Sequence, residues 1–163
     1  MLNRLIHKAL WKFTEAFPHR VREIKVDGKP YLRRFYLTPY EHHEQTGELC
    51  DRGHGIYLHY FYRGDEDREL HNHPWDRALS FILAGGYFEE CRDNKTNEVF
   101  VKDRKPGRFN YVKHDCFHRV VAKKEGVHIW TLFWTGNRVQ DWGFWDRDQD
   151  RYVTHQEIGR AHV

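Results

Sequence analysis

The sequence is poor in several things at once. Its 163 residues include three cysteines, five prolines and one methionine. Cys50, Cys91 and Cys116 are odd in number and scattered, which gives no disulfide framework and makes a reducing cytoplasm the expected location. No apolar run approaches the ~18 residues of a membrane span, so no membrane role is expected. Residues 1–17 carry charge throughout and lack the apolar stretch of a secretion signal. Charge of one sign is also scarce: 27 Lys+Arg against 24 Asp+Glu leaves +3. A basic cluster of Lys102, Arg104, Lys105 and Arg108 reads as a solvated hairpin, and the composition speaks against a nucleic-acid partner. What is abundant is aromatic side chain, at 16%, and histidine, at 13 copies. Many aromatics and little net charge exclude a disordered chain. A core built from Phe, Tyr and Trp favours β architecture.

Residues 2–17 have the spacing of an amphipathic helix, with Leu2, Leu5, Ile6, Ala9, Leu10, Phe13 and Phe17 as its apolar stripe and Pro18 as its end. Such a face suits packing across the body of a domain; a membrane-surface or partner helix is the alternative. Beyond residue 21 the helical period is lost. Strands are expected near 31–37, 55–62, 78–90, 97–102, 108–112, 117–122 and 127–134, with turns or bends at Asp27-Gly28, Gly85-Gly86, Asp93-Asn94, Lys105–Gly107, Glu125-Gly126 and Gly136-Asn137. Segment 39–54 reads as an exposed loop. Many short strands imply a sandwich or barrel. The organisation expected is one domain: a helix over 1–20 packed on a β-barrel over 21–163.

The informative stretch is His71-Asn72-His73-Pro74-Trp75-Asp76. On an extended strand residues i and i+2 share a face, so His71 and His73 can aim two imidazoles at one point. His118, on a later strand, is the candidate third ligand of a divalent metal. Glycines stand at matching offsets: Gly64 before the His-x-His pair, Gly85 after it, and Gly107 before His118.

This spacing resembles the two motifs of the cupin superfamily over about residues 54–135. The resemblance implies an all-β fold, a cupin-type small β-barrel (double-stranded β-helix, or jelly roll) with an N-terminal α-helix. Where the first motif has a glutamate this chain has Ala78, and Lys113 and Asp115 replace the Pro and Gly of the second. More narrowly, the chain resembles small cupin-like proteins of phages and bacteria. The residues concerned are Leu58-His59, the acidic stretch 65–68, His71–Trp75, Gly85–Tyr87, Phe117–Val120, Trp130–Leu132 and Trp142–Phe144. The resemblance implies a mononuclear metal site of His71, His73 and His118 with open positions for a small-molecule substrate. By resemblance, Fe(II) is favoured over Zn, Mn or Ni, the activity is that of a non-haem dioxygenase on a small polar substrate, and the protein is a homodimer. Two alternatives stay open. One is a metal-independent isomerase or epimerase with His59 or His73 as base and a tyrosine as acid. The other is a non-catalytic module that binds a small ligand or a partner.

Around the triad, His59 is a candidate ligand or general base, or a core histidine. Asp76 is a candidate to orient a ligand imidazole, or a turn residue. Arg77 and Arg108 are candidates to hold an anionic substrate. Tyr87, Tyr111 and Trp130 are candidate pocket walls, Tyr87 within catalytic reach. Arg119, beside His118, points to the opposite face. Cys116 forms a Cys-x-His pair or is a free thiol. Finally, Asp146, Asp148, Asp150 and Glu157 match an EF-hand calcium loop. Arg151 stands where that loop needs Gly, and Trp142–Trp145 reads as a strand, so an acidic hairpin turn is the competing reading.

Overall fold

The computed structural model describes residues 1–51, 53–65, 69–124 and 126–154. Most of the acidic stretch 65–68, the Glu125 side of its turn, and Glu157 lie outside the described residues. Helix α1 spans Leu2–Glu15, followed by a single 3-10 turn at Pro18–Arg20. The strands are β1 Val21–Val26, β2 Lys29–Tyr36, β3 Tyr40–His42, β4 Leu49–Asp51, β5 Gly55–Phe61, β6 Arg77–Ala84, β7 Tyr87–Arg92, β8 Val99–Arg104, β9 Phe109–Lys113, β10 His118–Ala122, β11 Ile129–Thr135, β12 Gly143–Asp146 and β13 Arg151–Thr154. No helix among the described residues is long and apolar enough to cross a membrane.

A six-stranded antiparallel sheet runs β1-β2-β5-β11-β6-β9. It faces a second layer made of β10-β7-β8 and the β12-β13 hairpin. His71 joins the two parts of that layer, forming single-residue antiparallel bridges to His118 on one side and Phe144 on the other. The expected all-β, cupin-type barrel with an N-terminal helix is what forms.

Alternation explains which residues face the interior. Along β2 and β5 the inward row is Leu32, Arg34 and Tyr36 opposite Phe61, His59 and Tyr57. The outward residues of the same strands, Phe35, Leu58 and Tyr60, are buried too, because α1 covers them. Ile6, Leu10 and Trp11 of the helix pack on that cluster, with Trp130 at its centre. His7 completes the seam. Its Nδ1 accepts the Trp130 indole N–H at 3.1 Å, and its ring stacks on His128 at 3.6 Å. The helix therefore packs across the domain, although Leu2 and Leu5 of the expected stripe stay exposed.

Three strand expectations need correction. Residues 78–90 are not one strand: Gly85 and Gly86, at φ +81° and +79°, break the run between β6 and β7. A Cβ on Gly85 would stand 2.5 Å from the His128 carbonyl oxygen, so the crossing also needs the missing side chain. Segment 39–54 is not simply an exposed loop. It holds the β3-β4 hairpin, whose Leu49 is buried against Tyr36 and Tyr57. Strand β1 was not expected, because the charged Arg22 shares the cavity-facing row with Ile24 while Val21 packs on the opposite face against the helix-side cluster.

A candidate metal centre

His71 and His73 are not on a long strand. They lie in the connection from β5 to β6, and the backbone there is fixed from several sides. His71 N–H donates to His118 O, and His118 N–H donates to His71 O, both at 2.9 Å. Asn72 N–H donates to Gly143 O, and Gly143 N–H donates to Asn72 Oδ1 at 2.8 Å. Gln140 Nε2 donates to His73 O at 2.8 Å. The segment is as constrained as a strand without belonging to one, so the i, i+2 geometry still holds.

The result is convergence. One donor atom from each of His71, His73 and His118 lies within 4.8 Å of the other two. His73 Nε2 and His118 Nε2 are 2.7 Å apart. His118 Nδ1–H donates to Glu89 Oε1 at 2.6 Å, which leaves His118 Nε2 turned toward the cluster. Glu89 is 1% exposed and also takes Asn110 Nδ2 at 2.8 Å and Arg104 Nε at 2.7 Å. Burial alone would raise its carboxyl pKa. The His118 bond and charge, with Arg104 and Asn110, outweigh burial and hold it well below the usual carboxylate range. Burial likewise would lower His118, but the Glu89 bond and charge raise it above its ordinary 6.5. Three imidazoles with converging lone pairs and a carboxylate fixing one tautomer fit a divalent first-row ion.

The cluster opens on a cavity of about 530 Å³ between the layers, a size suited to a small organic molecule. Phe61, Phe133, Trp75 and Tyr31 form its apolar wall. His59 lines it from β5, sandwiched between Tyr57 (centroids 5.6 Å) and Phe133 (5.0 Å). Its Nε2 accepts the Arg34 Nε–H at 3.0 Å. Burial first, then the Arg34 and His73 charges, hold His59 well below 6.5, so it is neutral. Tyr87 lines the cavity with its hydroxyl 3.4 Å from Asn110 Nδ2, and burial with the Glu89 charge pushes its pKa up to about 12.

These shifts carry a test. In the metal-free protein the His59 ring resonances should titrate well below 6.5, and those of His118 above it. A depressed histidine favours the fold only while neutral. The His59 contribution to stability is therefore present above 6.5 and lost as pH falls through its folded value. Normal titration of His59 near 6.5 would contradict the buried Arg34–His59 arrangement.

The other candidates are placed differently. Asp76 does not orient the triad: its Oδ2 lies 3.3 Å from Arg77 Nε, and the tight approach of Asp76 to Gly136 holds it at the barrel's end. Arg77 is 54% exposed in its side chain and lies outside the cavity wall, as does exposed Arg108. Tyr111 is on the outer surface, and Trp130 is buried under α1, on the far side of the sheet from the cavity. Arg119 pairs with Glu90 at 2.7 Å on the outer face of β10. Cys116 lines an outer groove with Cys91, and the hydrogen bond between the two thiols lowers its pKa. Asp146 Oδ1 accepts the N–H groups of Asp148 and Gln149, closing the β12-β13 hairpin turn in place of a helix-flanked calcium loop.

Glu89, Asn110 and Arg34 were not among the expected site residues. The signal for Glu89 was present but out of phase. Read as one strand from 78, residue 89 falls on the face opposite Ala78, Ser80 and Ile82. The Gly85-Gly86 bend resets the alternation, and Tyr87, Glu89 and Cys91 turn inward.

A scan against family models finds no match, and neither does a search of curated proteins. Solved structures do match. HppE in its Fe(II) form superposes with a TM-score of 0.51 at 12% identity, covering 71% of this chain and 55% of that one. The formate complex of Lactobacillus farciminis oxalate decarboxylase gives 0.53 at 8% identity, covering 88% and 36%. The chain thus spans about half the length of HppE and about a third of the decarboxylase. At such identities the likeness shows the fold alone. Fold and site together define a class: a cupin-type β-barrel with a three-histidine group that could hold a metal ion at the edge of its internal cavity.

Proposed function

We propose that this chain is a mononuclear non-haem metalloenzyme. His71, His73 and His118 hold a divalent ion, ferrous iron before zinc, manganese or nickel, and the protein acts as a dioxygenase on a small polar substrate. The observation that carries the reading is the Glu89–His118 bond beside the converging imidazoles. A carboxylate on the distal nitrogen of a ligand histidine fixes its tautomer and raises its basicity, which is the support metal ligands ordinarily have. The carboxylate absent at Ala78 is supplied at one remove, by Glu89.

When bound, such an ion supplies Lewis acidity and, if iron, one-electron redox chemistry. The chain's own residues do the rest. The aromatic wall keeps bulk water from the site. His118 Nδ1–H stays on Glu89, so its Nε2 stays available. Tyr87, a hydroxyl far below its pKa at neutral pH, offers an O–H to a substrate rather than a charge. His59 is neutral and its Nε2 is engaged by Arg34, which gives it a wall and orienting role and leaves less support for an isomerase using it as base.

The test is metal analysis of protein purified anaerobically and reconstituted with Fe(II). Stoichiometric metal is expected in the wild type and its loss in His71→Ala, His73→Ala and His118→Ala. Stoichiometric metal surviving in His118→Ala would sink the assignment.

A further inference from the structure

Three arginines line the cavity: Arg22, Arg34 and Arg138. Two have carboxylate partners, Arg22 with Glu48 and Arg138 with Asp141. Arg34 has none among the described residues. Its neighbour Arg33, on the outward face of the same strand, pairs with Glu23. Of the three cavity arginines, Arg34 is the one with no carboxylate partner among the described residues.

Arg34 is nevertheless held in place. It stands in register opposite His59 across β2 and β5. Its Nε–H goes to His59 Nε2 at 3.0 Å, and its guanidinium lies over the Tyr57 ring at 4.8 Å. These contacts fix the plane of the group and use one of its five N–H donors. The hydrogen-bond partner is a neutral imidazole, which returns no negative charge. A half-buried guanidinium with a fixed fork and no carboxylate among the described residues turns its remaining donors toward an anion in the cavity.

The group is also within the same cavity as the triad. The rings of His59 and His73 both lie against Phe133, at 5.0 and 6.3 Å. From Arg34 the path therefore runs past His59 and Phe133 to the three histidines.

We infer that the cavity takes a small organic oxyanion, a carboxylate or phosphonate, whose charged end pairs with the Nη groups of Arg34 while its body lies along Phe133 toward His71, His73 and His118. This deepens the proposed function by giving its substrate a chemical class and an orientation, and it rests on that reading only for the reacting end. Arg34 is a specificity residue here, not a proton carrier. It replaces Arg77 and Arg108, which lie outside the cavity.

The test uses the full chain, metal-free, so that direct ligation of the anion to a metal plays no part. Propionate, benzoate and methylphosphonate, with propionamide and benzamide as uncharged counterparts, are titrated by NMR. At least one anion should bind at least about tenfold more tightly than its amide. Arg34→Met should remove that preference, and Arg34→Lys should keep part of it, since charge remains but the planar fork does not. The more tightly held of carboxylate and phosphonate identifies the oxyanion. Thermal melts of both variants separate loss of binding from loss of fold. Because the titrations contain no metal, their outcome stands whether or not the three histidines hold an ion. Equal binding of anions and amides, or undiminished preference in folded Arg34→Met, would overturn the inference.

Discussion

Glu89→Ala should cost about 3–5 kcal/mol of stability, the usual effect of removing one member of a buried charge network. The carboxylate is almost fully buried and holds three groups: His118, Arg104 and Asn110. Truncation leaves the Arg104 guanidinium and the His118 N–H without their acceptor at a buried position. Glu89→Gln is the milder test. It keeps the shape and an acceptor oxygen but loses the charge. Metal affinity should then fall about 10–100-fold, as it does when such supporting partners are changed. Chemical denaturation measures the first effect and competition with a chelating indicator the second. If Glu89→Ala unfolds with the wild type and binds metal as well, Glu89 neither supports the site nor the fold.

The pH dependence follows from the same pair. Glu89 is lowered from its ordinary 4.5, so its contribution is present above 4.5 and lost as pH falls through the folded value. His118 is raised from 6.5, so its contribution is present below 6.5 and lost as pH rises through the folded value. In the metal-free protein the pair is strongest between those limits. Subtracting the Glu89→Gln profile from the wild-type profile isolates that window.

Trp130→Ala should be as destabilising, about 3–5 kcal/mol, yet leave the metal site intact. Trp130 is fully buried between α1 and the six-stranded sheet, packed with Phe35, Leu58, Tyr60 and Ala84. Its indole N–H donates to His7. Losing the ring opens a cavity and unties the helix at once. Its neighbours along β11, Ile129 and Thr131, point the other way, into the barrel, so the triad is separated from the damage by the sheet itself. Metal stoichiometry below the melting point should be unchanged. Loss of metal in folded Trp130→Ala would mean that the helix side and the cavity side are coupled.

Those two substitutions also show how far the sequence could be read. Strand positions were legible where short aromatic and β-branched runs recur, as in β5, β10 and β11. The triad was legible because His71-x-His73 and the offset to His118 are local spacings. Arg77 and Asp76 failed because adjacency to the motif is not adjacency in space. Past Trp75 the chain enters β6, whose first residue, Arg77, faces out at the barrel's end. Trp130 looked like a pocket wall because an aromatic beside inward-facing residues can lie on either face. Only the packing of α1 against the outer face says which. Glu89 was hidden by two glycines that shift the phase of the strand they interrupt.

What the sequence by itself determined is what depends on short-range pattern. That covers the β class, the leading helix, the bend at Gly85-Gly86 and the three histidines with ligand spacing. The tertiary structure decided the partners of those residues. Glu89 reaches His118 because β7 pairs with β10, and Arg34 reaches the cavity because β2 pairs with β5 in one register. A buried charge is favourable only beside its complement, and for Glu89 that complement, His118, lies 29 residues away in the chain. Its scarcity of net charge at first hid the point: the charges that matter are the few turned inward, and the fold selects them.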